Sequence, residues 1–295
     1  MLVNSSLNIL KPSASMEITR LASELSQKGE KVYSLGIGDT HFAPPAAIKN
    51  AVKKALENHA THYTEAKGIL SLRKNISTYY NSVYSPDEVL IVSGLKEGLY
   101  FLLYAIEGKK VCVLEPAWLG YQATVQLTGK EYISINAQEK DWCTKLRETD
   151  FDILIICSPN NPDGKIISEN EASEIKAIIE EKNAVVIIDE IYRIYDYRES
   201  PSNSFQIFYG WDRAIIANGF SKSHAMTGFR IGFLLTTSRD LMSSLVKVQQ
   251  NITTCPNSVS QYAAVSFIDA LDEVNSYKDY YKINRNLVSE IIPEP

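Results

Sequence analysis

ILIICSPNNPDGKIISENEASEIKAIIEEKNAVVIIDEIY, residues 153–192, reads as strand, loop, helix and strand in succession. Residues 153–156 and 185–188 are short, branched and wholly apolar, which is the composition of strands buried on both faces. Between them Ser168, with Glu171 three residues later, has the spacing of a capping box and opens a helix that runs to Lys182. Two strands joined through a helix predict parallel pairing. The same alternation extends outward. Residues 89–92, 111–114, 132–135 and 215–217 read as further buried strands, and 31–35 as a strand-like run. Residues 68–80 set Ile69, Leu72, Ile76 and Tyr79 at helical spacing, and 15–27 do the same with Ile18, Leu21 and Leu25. Residues 99–106 and the chain from Arg239 onward also read as helical. The expected fold class is α/β, a mostly parallel (mixed) central sheet covered by helices.

Composition narrows the function classes. The chain has 295 residues, so the expectation is two domains, or one large domain with an appendage. Hydrophobic residues make up 45% and charged residues 22%, an ordinary globular balance. The net charge of −5 argues against a nucleic-acid partner. No apolar run approaches the ~20 residues of a membrane span, and the start lacks the pattern of a secretory signal. Cys112, Cys143, Cys157 and Cys255 are scattered, with no CxxC pair. A cytoplasmic protein without a membrane partner is expected. His41, His59, His62 and His224 offer no convincing metal-ligand spacing, so no metal is expected. Gly36-Ile37-Gly38 lacks the third glycine and following helix of a dinucleotide fingerprint.

Sheets of this kind seat ligands at the carboxyl ends of their strands, and that is where the informative residues fall. After 153–156 comes Ser158-Pro159-Asn160-Asn161-Pro162-Asp163-Gly164, and after 185–188 comes Asp189-Glu190-Ile191-Tyr192. After 215–217 the chain carries Lys222 and, eight residues on, Arg230, in a stretch otherwise mostly small and apolar. After 89–92, Ser93-Gly94-Leu95-Lys96 turns into a helix, and after 111–114 comes Pro116-Ala117-Trp118-Leu119-Gly120-Tyr121. Each segment alone has a plain structural reading as a turn, a helix cap or a surface lysine. Together they meet the demands of pyridoxal phosphate. Its aldehyde needs an amine (Lys222) and its pyridine nitrogen a carboxylate (Asp189). Its phenolic oxygen needs donors (Asn161, Tyr192), and its ring a flat wall (Trp118). Its phosphate needs a helix N-terminus plus a cation, here residues 93–96 with Arg230.

LGIGDTHFAPP (35–45), HYTEAKGILSLR (62–73), SGLKEG (93–98), PAWLGY (116–121), SPNNPDG (158–164), DEIY (189–192) and SKSHAMTGFRIG (221–232) occur in one order along the chain. In that order and spacing the sequence resembles the fold type I pyridoxal-phosphate enzymes, specifically the class I/II aminotransferases. The resemblance implies a ping-pong exchange of an amino group between an amino acid and a 2-oxo acid. Lys222 would carry the internal aldimine and shuttle the proton. Asp189 would pair with the pyridinium nitrogen, Asn161 and Tyr192 with the phenolic oxygen, and Trp118 would stack on the ring. Arg230 and the backbone of Gly94, Leu95 and Lys96 would hold the phosphate. Tyr63 would reach the cofactor of a neighbouring subunit, implying a homodimer, and Gly38 would lie at the substrate's carboxylate.

This sequence departs from the family pattern at three places. Gly219 stands where many relatives carry a phosphate-contacting Ser, leaving Ser221 or Ser223 as the replacement. Asp163 and Ser158 replace a Thr and an Asn of the Asn-Pro loop. Relatives continue for most of a further hundred residues. Residues 1–40 are therefore read as an N-terminal arm and part of a small domain, 41–265 as the large cofactor-binding domain, and 266–295 as the start of an incomplete C-terminal small domain. No arginine follows Arg285, and none is assigned to the substrate carboxylate. The alternatives are a β-lyase or decarboxylase using the same residues, and a non-catalytic cofactor- or amino-acid-sensing module.

Overall fold

The computed structural model describes residues 7, 8, 10, 14–33, 36, 38–198 and 204–292. Three helices come first, α1 (Ala14–Gln27), α2 (Ala46–Glu57) and α3 (Leu70–Tyr79). Strands and helices then alternate: β1 (Val89–Val92), α4 (Leu95–Ala105), β2 (Lys110–Glu115), α5 (Gly120–Leu127), β3 (Glu131–Asn136), α6 (Trp142–Glu148), β4 (Ile153–Cys157), α7 (Glu169–Lys182) and β5 (Val185–Asp189). Strands β6 (Ala214–Gly219) and β7 (Gly232–Leu235) follow, and α8 (Arg239–Ile252), α9 (Ser258–Val265) and α10 (Leu271–Ile291) close the chain.

The seven strands form one sheet in the order β1-β7-β6-β5-β4-β2-β3. The pairs from β6 through β5, β4 and β2 to β3 are parallel, while β7 runs antiparallel between β1 and β6. Side chains alternate across the sheet with the period of two that a pleated strand imposes. Leu154, Ile156, Val186 and Ile188 enter one apolar layer with Ile76 of α3, Ile175 and Ile179 of α7 and Ala263 of α9. Ile153, Ile155 and Ile187 enter the other, with Leu99 and Leu102 of α4, Val125 of α5 and Leu245 of α8. Helices thus cover both faces, as the apolar runs require.

The start of α7 is the capping box that the sequence indicates. Ser168 Oγ accepts from the Glu171 amide at 3.2 Å, and Glu171 Oε2 accepts from the Ser168 amide at 2.8 Å. The helix ends at Asn183, whose φ of +54° is the left-handed conformation that stops a helix.

Two readings differ from the structure. Residues 31–33 form no strand, and residues 34 and 35 lie outside the described ones. Conversely β7 was not foreseen. It has four residues, begins on a glycine, and owes its place to two distant partners, Val92↔Gly232 and Gly219↔Gly232. Those glycines face each other closely. A Cβ on Gly219 would lie 3.0 Å from the Gly232 Cα, and one on Gly232 would lie 3.3 Å from the Leu95 amide nitrogen. The glycine pair lets the sheet edge approach the start of α4.

Candidate active site

Every group singled out in the strand-following loops lies along one edge of the sheet. In strand order the edge presents Gly94 after β1, Arg230 before the antiparallel β7, Lys222 after β6, Asp189 at the end of β5, Asn161 after β4 and Trp118 after β2. The two ends of this row are bridged. Lys96, in the first turn of α4, places its Nζ 5.7 Å over the Trp118 ring. Lys96 stands two residues after Gly94, so the first and last members of the row meet at the start of α4.

Gly94 caps α4 with φ +84°, a conformation costly for any side chain. No side chain caps this helix start, which leaves its first amides pointing at the site with the positive end of the helix dipole. The Arg230 guanidinium lies directly against it, because a Cβ on Gly94 would come within 2.5 Å of Arg230 Nη2. Arg230 itself sits at φ +51° and donates from Nη1 to the Thr227 carbonyl at 2.9 Å. Amides plus a fixed guanidinium over a glycine make a seat for a phosphate dianion.

Asp189 is 4% exposed. Its Oδ1 accepts from the Ile191 amide at 3.0 Å, and its Oδ2 from the Tyr121 hydroxyl at 2.8 Å. Burial pushes its carboxyl up to about 6, with the two hydrogen bonds opposing that rise and Glu190 adding to it. A carboxylate so placed gains from a cationic partner. The next residue, Glu190, is anchored below the site. Tyr80 and Tyr209 donate to its two oxygens, and Asn218 Nδ2 donates to the Tyr80 hydroxyl at 2.9 Å. Neither Tyr121 nor Glu190 was singled out from sequence. Both sat inside quoted motifs, and only their spatial partners disclose what they do.

Asn161 Nδ2 lies 3.3 Å from the Tyr192 hydroxyl, so the two expected donors to the phenolic oxygen meet. Burial raises the Tyr192 phenol to about 12, which keeps it protonated. Lys222 Nζ donates to the Gly38 carbonyl at 2.6 Å, joining the lysine to the residue expected at the substrate carboxylate. Burial holds the Lys222 amine below its usual value, with Arg230 adding to the effect and Asp39 opposing it. A Cβ at Gly219 would lie 3.0 Å from the Gly232 Cα and 3.1 Å from the Ile231 carbonyl oxygen, so a serine there would have to push the β7 backbone away by a few tenths of an ångström. Ser223 Oγ is engaged with His224 Nδ1 at 2.7 Å, whereas Ser221 makes no side-chain hydrogen bond to another described residue. Asp163 and Ser158, the two replacements in the Asn-Pro loop, hold the loop itself. Asp163 Oδ1 accepts from Asn160 Nδ2 and from the Lys165 amide, and Ser158 Oγ from the Ile167 amide at 3.0 Å.

A cavity of about 790 Å³ opens beside Lys222 and Tyr192 and includes Gly38, Tyr195, Tyr281 and Arg285 in its lining. Asp189, Trp118, Gly94 and Arg230 are outside that lining and make up the inner part of the site. Helix α10 supplies the outer wall. Tyr281 donates to Thr40 Oγ1 at 2.8 Å and packs edge-on against Tyr195, and the Arg285 guanidinium rests 5.8 Å over the Tyr197 ring. Arg285, left without a role from sequence, therefore reaches the cavity. Tyr63 stands apart from all this, 86% exposed.

A buried carboxylate, a lysine of lowered proton affinity, a paired Asn and Tyr, an indole face and a glycine-floored anion seat together fit pyridoxal 5'-phosphate. The family model described as aminotransferase class I and II matches residues 30–292. The chain belongs to the class I and II aminotransferases. It is 31% identical to the aspartate aminotransferase of Thermotoga maritima over 295 aligned positions, covering 94% of this chain and 76% of that protein. Among solved structures, a Methanococcus jannaschii protein described as similar in its active site to kynurenine aminotransferases superposes with a TM-score of 0.88. It is 30% identical, with 98% of this chain and 79% of that one covered. Aspartate aminotransferase from Thermus thermophilus with maleate gives 0.91 at 25% identity, covering 98% and 80%. This aminotransferase is thus a fold type I enzyme that uses pyridoxal phosphate to transfer an amino group.

Proposed function

We propose that the enzyme exchanges an amino group between an acidic amino acid, with aspartate the first candidate, and a 2-oxo acid, in two half-reactions at Lys222. The observation that carries this reading is the single edge on which Lys222, Asp189 and the Gly94–Arg230 seat are assembled. Aspartate is favoured by the names of the relatives and by the Arg285 cation on the cavity wall.

Arg230 and the α4 amides of Leu95 and Lys96, with Gly94 as floor and Ser221 beside Lys222, would hold the phosphate. Trp118 would cover one ring face, while Asn161 and Tyr192 would donate to the phenolic oxygen. Asp189 would keep a proton on the ring nitrogen. When bound, pyridoxal phosphate supplies an electrophilic carbon and a ring that draws electrons from the substrate's α-carbon. Lys222 Nζ would hold the cofactor at rest and, once released, move the proton off the substrate's Cα. Its lowered proton affinity suits that work, since an ordinary amine near ~10.4 is protonated at neutral pH. Gly38 O would orient Nζ, and Arg285 would draw the substrate's carboxylate into the cavity.

Tyr63 is proposed to reach the site of a second copy in a homodimer. Its ring exposure supports this, because a lone aromatic in water gains from a partner surface. Residues 41–265 are proposed as the cofactor-binding domain, with 1–40 and 266–295 as parts of a smaller one. A cytoplasmic setting is proposed on four unpaired cysteines. No helix among the described residues is long and apolar enough to cross a membrane.

The test is a single turnover of the cofactor-bearing enzyme with L-aspartate. One equivalent of the 2-oxo acid per site, reversed by a second 2-oxo acid, with parallel lines in initial-rate plots, is the expected result. Release of ammonia or CO2 without amino transfer would instead identify a lyase or decarboxylase.

A further inference from the structure

Tyr121 lies in the first turn of α5 and is 2% exposed. Its hydroxyl donates to Asp189 Oδ2, and its ring meets Trp118 edge-on, with centroids 5.3 Å apart and planes at 87°. Gly120 makes this packing possible, since a Cβ there would lie 2.3 Å from the Trp118 ring. One six-residue segment, Pro116 to Tyr121, running from the loop after β2 into α5, therefore carries both the flat wall of the site and a donor to the carboxylate at its back.

A carboxylate has about four acceptor sites on two oxygens. In Asp189 one site on Oδ1 is taken by the Ile191 amide and one on Oδ2 by Tyr121. With both oxygens held, the carboxylate cannot rotate about its Cβ–Cγ bond without breaking a hydrogen bond. The remaining acceptor sites are then fixed in direction. Loss of the Ile191 bond would require moving backbone, whereas the Tyr121 bond comes from a side chain on another element. It is the adjustable half of the pair.

We propose that Tyr121 is a positioning residue of the aminotransferase, acting on the bound cofactor through the Asp189 carboxylate while its ring braces Trp118. This rests on the reading of Asp189 as the partner of the ring nitrogen. The groups surrounding that carboxylate are Tyr121 from α5, Cys157 from β4, and Glu190 and Tyr192 from the segment that follows β5. Burial raises the Cys157 thiol and the Tyr121 phenol, so both stay protonated, and neither brings a charge of its own.

The test is a double-mutant cycle of Tyr121→Phe and Asp189→Asn, read by the dissociation constant of pyridoxal phosphate and by the pH dependence of the bound cofactor's absorption. Phenylalanine keeps the ring against Trp118, and apoprotein melting with near-ultraviolet circular dichroism confirms the fold. Tyr121→Phe is expected to weaken cofactor binding roughly tenfold and to move the absorption midpoint by about half a pH unit. In the Asp189→Asn background the same change should alter affinity less than about twofold. Equal effects in the two backgrounds, or an unchanged affinity and spectrum in Tyr121→Phe alone, would overturn the proposal. If Asp189→Asn itself leaves both readouts unchanged, the reading of Asp189 fails and the proposal falls with it.

Discussion

Asp189 and Tyr121 are almost wholly buried and meet through one short hydrogen bond, whereas Arg285 is exposed and rests its guanidinium against the face of Tyr197. The first pair belongs to the inner edge of the site, where strands, a helix start and two facing glycines leave no freedom of placement. The second belongs to the outer wall, where α10 packs on residues 38–42 through ring contacts such as Phe42 stacked on Tyr277 at 4.1 Å. On the proposed function the inner edge would serve the cofactor, which is the same for every substrate. The outer wall would meet the part of the substrate that varies. Rigid burial would then hold the chemistry in place, and exposed aromatic and cationic side chains would set selectivity.

That division predicts that inner substitutions strike turnover and cofactor affinity, while outer ones strike substrate affinity. The largest effect is expected from Lys222→Ala, which should lower transamination by at least ~10⁴-fold, since it removes both the covalent anchor and the proton carrier. Stopped-flow half-reactions measure this, and apoprotein melting should scarcely change. Asp189→Asn comes next, with a loss of roughly 10²–10⁴-fold in kcat and weaker cofactor binding. It also has a stability signature. The folded carboxyl titrates at about 6, above its ordinary 3.8, so the carboxyl favours the fold at low pH and loses that advantage as pH rises through about 6. The apoprotein of Asp189→Asn should therefore gain in Tm relative to the parent as pH is raised from about 4 to about 7. A gap that is flat with pH would mean that the carboxylate is not held in a low-dielectric site.

Gly94→Ala sharpens the inner edge further. Its methyl would displace the Arg230 guanidinium and strain a left-handed backbone, so phosphate and pyridoxal phosphate affinity should fall roughly 10–100-fold by equilibrium titration. Arg285→Gln is the smallest expected effect. It should raise KM for a dicarboxylic substrate roughly tenfold with kcat nearly unchanged. A matching loss in kcat would place Arg285 with the inner edge and break the comparison.

The same division explains what the sequence could disclose. Strands such as residues 153–157 and 185–189 are buried on both faces, so their identity is written locally as branched apolar runs, and the residues following each one mark the ligand edge. The capping box at Ser168 is likewise a local signal. β7 is illegible because a four-residue strand that opens on Gly232 acquires its meaning from pairing on both sides, with the neighbouring β6 and with β1 about 140 positions earlier in the chain. Tyr121 was visible as a motif residue, but its bond to Asp189 spans 68 positions and no spacing rule contains it. Sequence reading assigns Arg285 no role, yet the i, i+4, i+8 spacing of Tyr277, Tyr281 and Arg285 on α10 is the available sign that they share one helix face, which packs Tyr277 on Phe42 and turns Tyr281 and Arg285 to the cavity.

One amine, Lys222 Nζ, is proposed to hold the cofactor at the edge where Asp189 and the Gly94–Arg230 seat converge. Borohydride reduction of the cofactor-bearing enzyme, followed by proteolysis and mass mapping, tests it directly. A single pyridoxyl-modified peptide with the label on Lys222 is the expected result. A label on Lys96, whose Nζ lies over the Trp118 ring, or no reducible link at all, would contradict it.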